Sequence, residues 1–146
     1  MKLYLLQHGD AEPKDVDPER PLSVKGIKDI ENLAQFTGNI PFIDIYHSGK
    51  LRAMQTAEII AQGQQVEERE QLAPNDPIDS IAFEIKQSDT DLMIVGHLPF
   101  LGKLASHLLT GNEENSPVRF EPGTLVCLEY DGYWTTRFIL PPSLFY

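Results

Sequence analysis

The chain has 146 residues and is 41% hydrophobic, which suits one domain, residues 1–146, built on one sizeable core and excludes a disordered polypeptide. Its formal net charge of −10 and pI near 4.7 argue against nucleic acid and against an anionic membrane as partners, since both demand a basic surface. The one cysteine, Cys127, excludes an intrachain disulfide and sits in a strand-like run as a small core residue.

The N-terminus starts on a strand-like run without a charged-then-apolar leader. No apolar stretch approaches the ~18 residues of a spanning helix, so a soluble, cytoplasmic protein is expected. Lys2 to Gln7 reads as the first strand, and the polar, Pro-containing Asp15 to Pro21 as a loop. Ser23 is a good N-cap, and Ile27, Ile30, Leu33 and Ala34 then recur at helical spacing until Gly38. Phe42 to His47 reads as the second strand, Leu51 to Gln62 as the second helix, and Val66 to Glu68 as a short strand. Asp76-Pro77 reads as an N-cap with proline at the first helical position, ahead of a stripe of Ile78, Ile81, Ala82 and Ile85. Asp91 to Val95 is a further strand, and Leu98 to Leu109 a helix closed by Gly111. Leu125 to Tyr130 and Trp134 to Leu140 form a hairpin around Asp131-Gly132. Strands alternating with helices imply a three-layer α/β/α fold whose central sheet is mostly parallel, with the closing hairpin as an antiparallel edge.

Two histidines occupy matching places in this pattern. His8 follows Leu3-Tyr4-Leu5-Leu6-Gln7, and His97 follows Leu92-Met93-Ile94-Val95-Gly96. In an open α/β sheet, ligands bind in the crevice beyond the carboxyl ends of the strands. Two imidazoles delivered there point to one active site. A single histidine after a strand is more often a packed residue, so the pairing carries the inference. An imidazole, largely neutral near pH 7, can attack phosphorus without a separate base, and Gly9 lets backbone approach a ligand closely.

Arg52, at the start of the second helix, is the natural clamp for a phosphate, because a guanidinium bonds two oxygens and a helix N-terminus adds backbone donors. The competing reading is a solvated surface arginine. Ser48 reads as a cap of that helix. Arg20, in the loop that begins beside His8, either reaches the same anion or pairs with Glu19 or Asp17. His47 ends a strand but lacks the neighbouring glycine, and His107 lies within a helix whose apolar face is Leu101, Leu104, Ala105 and Leu108.

Taken in order, Leu6-Gln7-His8-Gly9-Asp10-Ala11, Arg20-Pro21-Leu22-Ser23 with Gly26, Ser48 through Thr56, Gly96-His97-Leu98-Pro99 and the ending Pro122-Gly123-Thr124 through Pro141-Pro142 resemble the histidine phosphatase superfamily. The resemblance is to its phosphoglycerate-mutase-like fold, and within it to the small SixA-type phosphohistidine phosphatases. It implies that His8 takes the phosphoryl group onto a ring nitrogen and that water then releases phosphate. It implies that Arg52 and His97 stabilise the charge in transfer, with Gln7, Gly9 and Arg20 completing the phosphate site. The implied partner is a phosphorylated histidine-containing protein, a phosphorelay or phosphotransferase domain. No cofactor and no metal are implied.

Gln7 departs from the family's Arg-His-Gly hallmark: it can donate an amide hydrogen bond but carries no charge. Asp10 and Glu12 are candidates for a general acid, or else solvated loop carboxylates. Three alternatives follow: a phosphomonoesterase acting on small phosphate esters, a weakly catalytic module that binds phosphate or phosphohistidine, and a metallohydrolase built from His8, Asp10, His47 and His97. The last lacks an HxH or HExxH spacing.

Overall fold

Alternating side chains along each central strand divide the apolar residues between two faces of a six-stranded sheet. The structure, a computed structural model, describes residues 1–38, 40–41 and 44–146. The strands are β1 (Lys2–Gln7), β2 (Asp44–His47), β3 (Glu67–Glu68), β4 (Leu92–Gly96), β5 (Leu125–Tyr130) and β6 (Trp134–Leu140). The helices are α1 (Val24–Thr37), α2 (Leu51–Ala61), α3 (Asp79–Gln87) and α4 (Phe100–Thr110), and a 3-10 turn, Pro142–Phe145, closes the chain.

The order across the sheet is β3-β2-β4-β1-β5-β6. The first four run parallel, while β5 and β6 are antiparallel additions beside β1. This is the expected mostly parallel sheet with an antiparallel edge. From β1, Leu3 and Leu5 join a core with Ile81 and Ile85 of α3 and Leu101 and Leu104 of α4. Tyr4 and Leu6 of the same strand enter a second core with Ile30 and Leu33 of α1 and Ala57 and Ile60 of α2. The period-2 alternation of a strand therefore builds both outer layers. Cys127 is buried in the second core, as expected of a small apolar residue.

Helix boundaries follow local chemistry. Ser23 caps α1, its hydroxyl accepting the Gly26 N–H at 3.0 Å. Gly111 ends α4 with a left-handed backbone, and its N–H returns to the His107 carbonyl. The expected cap at Asp76 is corrected: α3 begins at Asp79, and the Asp76 carboxylate instead accepts the Ala73 N–H at 2.9 Å, holding the preceding turn. Leu98 and Pro99 precede α4 as a turn rather than forming its first residues. Of the expected second strand, Phe42 and Ile43 lie outside the described residues. At the end of the chain, Phe138 packs against the second core and Phe145 lies 5.5 Å from Phe36, whereas Tyr133 stays exposed.

Candidate active site

The register of the parallel strands assembles the site. Gln7 pairs with Gly96 across β1 and β4, so His8 and His97 are each the next residue beyond the same end of the sheet. Their ring centroids are 5.1 Å apart. Because β1 is followed in sequence by β2 but in space by β4, the two histidines come from strands far apart in the chain and adjacent in the sheet.

Backbone bonds hold His8 from three sides. Its N–H donates to the Gly96 carbonyl at 3.0 Å, and its carbonyl accepts the Gly123 N–H at 3.1 Å. Its ring Nδ1–H donates to the Gly9 carbonyl at 2.7 Å, which leaves Nε2 with the lone pair and, among the described residues, no hydrogen-bond partner. The ring is 9% exposed. Burial, with help from the Arg52 and Arg20 charges, pushes its pKa down to about 4 against the opposing pull of the Gly9 carbonyl. His8 is therefore neutral at pH 7, with a defined nucleophilic nitrogen.

Gly9 sits between α1 and α2. Its N–H donates to Thr56 Oγ1 at 3.0 Å, so that donor is already engaged. A Cβ there would stand 3.1 Å from the Gly26 carbonyl oxygen and from Ile30 Cγ1, so the missing side chain lets α1 pack closely against the His8 loop. Thr56, which the sequence did not single out, donates its own hydroxyl hydrogen bond to the Arg52 carbonyl at 2.8 Å and so ties the His8 loop to the first turn of α2. The hydroxyl four residues after Arg52 on one helix face is the signal that marks it.

Arg52 lies in that first turn. Its guanidinium pKa is lowered by burial and by the neighbouring Arg20 charge. Arg20 donates its Nε–H to the Glu12 carbonyl at 3.0 Å, and among the described residues it forms no ion pair with Asp17 or Glu19. Its charge is felt by His8, His97 and Arg52 alike. Its backbone takes a left-handed φ of 49°, an unusual conformation for a residue with a long side chain. The loop is closed beneath it by the Ala11–Leu22 bridge and by the Glu12 N–H on the Pro21 carbonyl.

Burial is the largest influence on His97, which is 1% exposed; with the charges of His8, Arg52, Lys50 and Arg20 it lowers the ring's pKa to about 3. Its Nε2 lies 2.6 Å from Ser48 Oγ. Ser48 is thus corrected from helix cap to histidine partner: Lys50 occupies the cap position of α2, and it has no side-chain cap bond.

Among the described residues, the buried side-chain nitrogen and oxygen atoms without a protein partner are Gln7 Oε1, Arg52 Nε and His97 Nδ1. All three belong to the expected site. Buried polar atoms are normally satisfied, so their concentration at this one place sets it apart as the candidate ligand site.

Of the two candidate acids, Asp10 has its carboxylate engaged within the fold. The Asp10 carboxylate accepts the Ser23 hydroxyl at 2.6 Å, and the Asp10 carbonyl accepts the Ser23 N–H, so Asp10 closes the start of α1. Glu12 offers its backbone carbonyl to Arg20. The set His8, Asp10, His47 and His97 is not assembled for a metal either. His47 Nδ1 accepts the Gly49 N–H, and among the described residues no group of three or more His, Cys, Asp or Glu side chains is placed to hold an ion. Nor is any helix among them long and apolar enough to cross a membrane.

No curated protein matches the chain by sequence. Solved structures do match it by shape. The protein histidine phosphatase SixA, solved with tungstate, superimposes with a TM-score of 0.85 at 21% identity, with 99% of each chain covered. The α-ribazole phosphatase of Shigella flexneri gives 0.79 at 17% identity, with 97% of each covered. A phosphoserine phosphatase of Entamoeba histolytica, solved with 3-phosphoglyceric acid, gives 0.73 at 17% identity, over 94% of this chain and 95% of that one. At these identities the likeness is one of fold, the phosphoglycerate-mutase-like α/β architecture. Residues 3–75, half of the 146, match the model of the histidine phosphatase superfamily (branch 1), and they span β1 with His8, the Arg20 loop and α2 with Arg52. The chain therefore belongs to the histidine phosphatase superfamily.

Proposed function

We propose that the protein is a phosphatase that removes the phosphoryl group from a phosphorylated histidine of a partner protein, a phosphorelay or phosphotransferase domain, through a phospho-His8 intermediate. The observation that carries this reading is the His8 ring. Its Nδ1–H is bound to the Gly9 carbonyl, its Nε2 lone pair is free, and the unpartnered Arg52 Nε and His97 Nδ1 belong to the same site.

In the first step His8 Nε2 attacks phosphorus, a new N–P bond forms, and the N–P bond to a substrate ring protonated on its other nitrogen breaks with its electron pair going to the departing nitrogen, so that a neutral imidazole leaves. In the second, water attacks phosphorus, the His8 N–P bond breaks, and phosphate departs. Arg52 and Arg20 offset the charge on the transferring oxygens, and His97 adds a hydrogen bond. With the Asp10 carboxylate engaged by Ser23, a neutral imidazole suits the site better as leaving group than an alkoxide, since it is the weaker base and departs without a proton from an acid. Leu98, 40% exposed beside His97, leaves an apolar rim that suits a protein-sized substrate.

A second reading, a module that binds phosphohistidine or phosphate and turns it over slowly, is favoured by Gln7 alone, an uncharged side chain at the hallmark position. Incubation with a phosphohistidine protein separates the two. The wild type should release phosphate and carry acid-labile, alkali-stable label, and His8→Ala should lose essentially all of both. Phosphate release undiminished in His8→Ala would overturn the phosphoenzyme route, and binding without label in the wild type would establish the module. A parallel assay with a sugar phosphate tests the activity on small esters that the shape neighbours leave open.

A further inference from the structure

The Ser48–His97 pair carries an inference about how His97 meets its ligand. β2 and β4 are paired with His47 opposite Val95, so Ser48 leaves β2 next to the loop that carries His97. Ser48 Oγ accepts the Lys50 N–H at 3.3 Å, so one of its lone pairs is engaged by a donor. The acceptor within reach of its hydrogen is His97 Nε2, 2.6 Å away. The largest electrostatic influences on His97 come from His8 after β1, Lys50 at the cap of α2, Arg52 in its first turn and Arg20, and each of them disfavours a positive imidazolium. The ring is neutral, and the question left is which nitrogen keeps the proton. Were it Nε2, a bare Nδ1 lone pair would be buried without a partner in a site built for an anion, acceptor against acceptor.

We propose that Ser48 is a positioning residue: by donating its hydroxyl hydrogen to His97 Nε2 it holds His97 in the Nδ1–H tautomer and so presents a neutral N–H donor to a phosphoryl oxygen. The role of that donor rests on the phosphoryl-site reading given above, whereas the tautomer itself does not. Compensation of the phosphoryl charge then falls to Arg52 and Arg20, and His97 contributes direction.

Long-range proton–nitrogen correlation spectra of ligand-free protein labelled with [15N]histidine read the tautomer directly, with His97 assigned by its loss in His97→Gln. At neutral pH the wild type should show protonated Nδ1 and bare Nε2. Ser48→Ala should move His97 toward protonated Nε2, and Ser48→Thr, which keeps the hydroxyl, should restore the wild-type pattern. Titration with inorganic phosphate should then show affinity about 10- to 100-fold weaker in Ser48→Ala, the range for losing a hydrogen bond to a charged group. Protonated Nε2 in the wild type, or a tautomer indifferent to Ser48→Ala, overturns the proposal. Unchanged phosphate affinity in a Ser48→Ala protein whose tautomer has moved overturns its functional half. A wild type that shows the expected tautomer but binds no phosphate refutes the phosphoryl-site reading instead, and so the two failures are distinct.

Discussion

Replacing Gln7 by arginine tests whether the site is limited by charge. Gln7 is 7% exposed at the end of β1, and its Oε1 is buried without a protein partner. Arginine removes that unsatisfied acceptor, a gain on the order of 1–3 kcal/mol. It also adds a third guanidinium beside Arg52 and Arg20, and the Arg20 charge already disfavours that of Arg52. At a separation of roughly 6 Å and an effective dielectric of about 20, each like-charge pair costs roughly 3 kcal/mol before screening by solvent at the mouth. Repulsion from two such pairs outweighs the gain, so the ligand-free variant should melt several degrees lower, at about 2–4 °C per kcal/mol for a chain of this size. A phosphoryl dianion reverses the sign. One charged hydrogen bond of roughly 1.5–3 kcal/mol realised in the transition state raises turnover by about 10- to 100-fold. The assay is steady-state phosphate release from a phosphohistidine protein, alongside thermal melts with and without phosphate. Equal or lower turnover in a folded Gln7→Arg protein would show that the site is organised around the glutamine amide. A higher melting temperature without ligand would refute the repulsion argument.

Acid should unfold the protein through the two site histidines. In the folded state His8 and His97 stay neutral down to about pH 4 and about pH 3, whereas in the unfolded chain they take up protons near pH 6.5. The unfolded state thus binds more protons below that value, and their contribution, constant above about pH 6.5, is lost as pH falls toward the folded pKa values. Imidazole titration by NMR should show no protonation of either ring near pH 6.5, and a midpoint there would overturn the assignment. Gly26→Ala should destabilise despite alanine's usual advantage of about 1 kcal/mol in a helix, because the added Cβ would fall 2.0 Å from the Asp10 carbonyl oxygen. The expected loss is about 1–3 kcal/mol or more by chemical denaturation, and any gain in stability would refute the close contact of α1 with the His8 loop.

Most of the architecture could be read from local pattern. The apolar runs ending at Gln7 and Gly96, the stripe from Ile27 to Ala34 and the Asp131-Gly132 turn each carry a short-range signal, and each appears as a strand, helix or hairpin close to its expected bounds. Asp76 misled because its carboxylate turns back to the Ala73 N–H three residues earlier instead of forward to the N–H groups that a helix cap binds. Ser48 misled for a similar reason: a serine just before a helix is a cap by proximity, yet its hydroxyl turns across the sheet to a residue 49 positions away.

What the order of residues determines here is the periodicity, and with it the elements, the two apolar faces and the presence of His8, Arg52 and His97 at element ends. Tertiary structure alone decides the insertion of β4 between β2 and β1, and therefore the 5.1 Å approach of the two imidazoles. It also decides the hidden partners: Thr56 beneath Gly9, Ser48 on His97, and Ser23 on the Asp10 carboxylate. The physical reason is range. Backbone propensity and side-chain spacing act over a few residues, whereas burial, proton placement and charge–charge interaction depend on which distant segments the sheet register brings into contact.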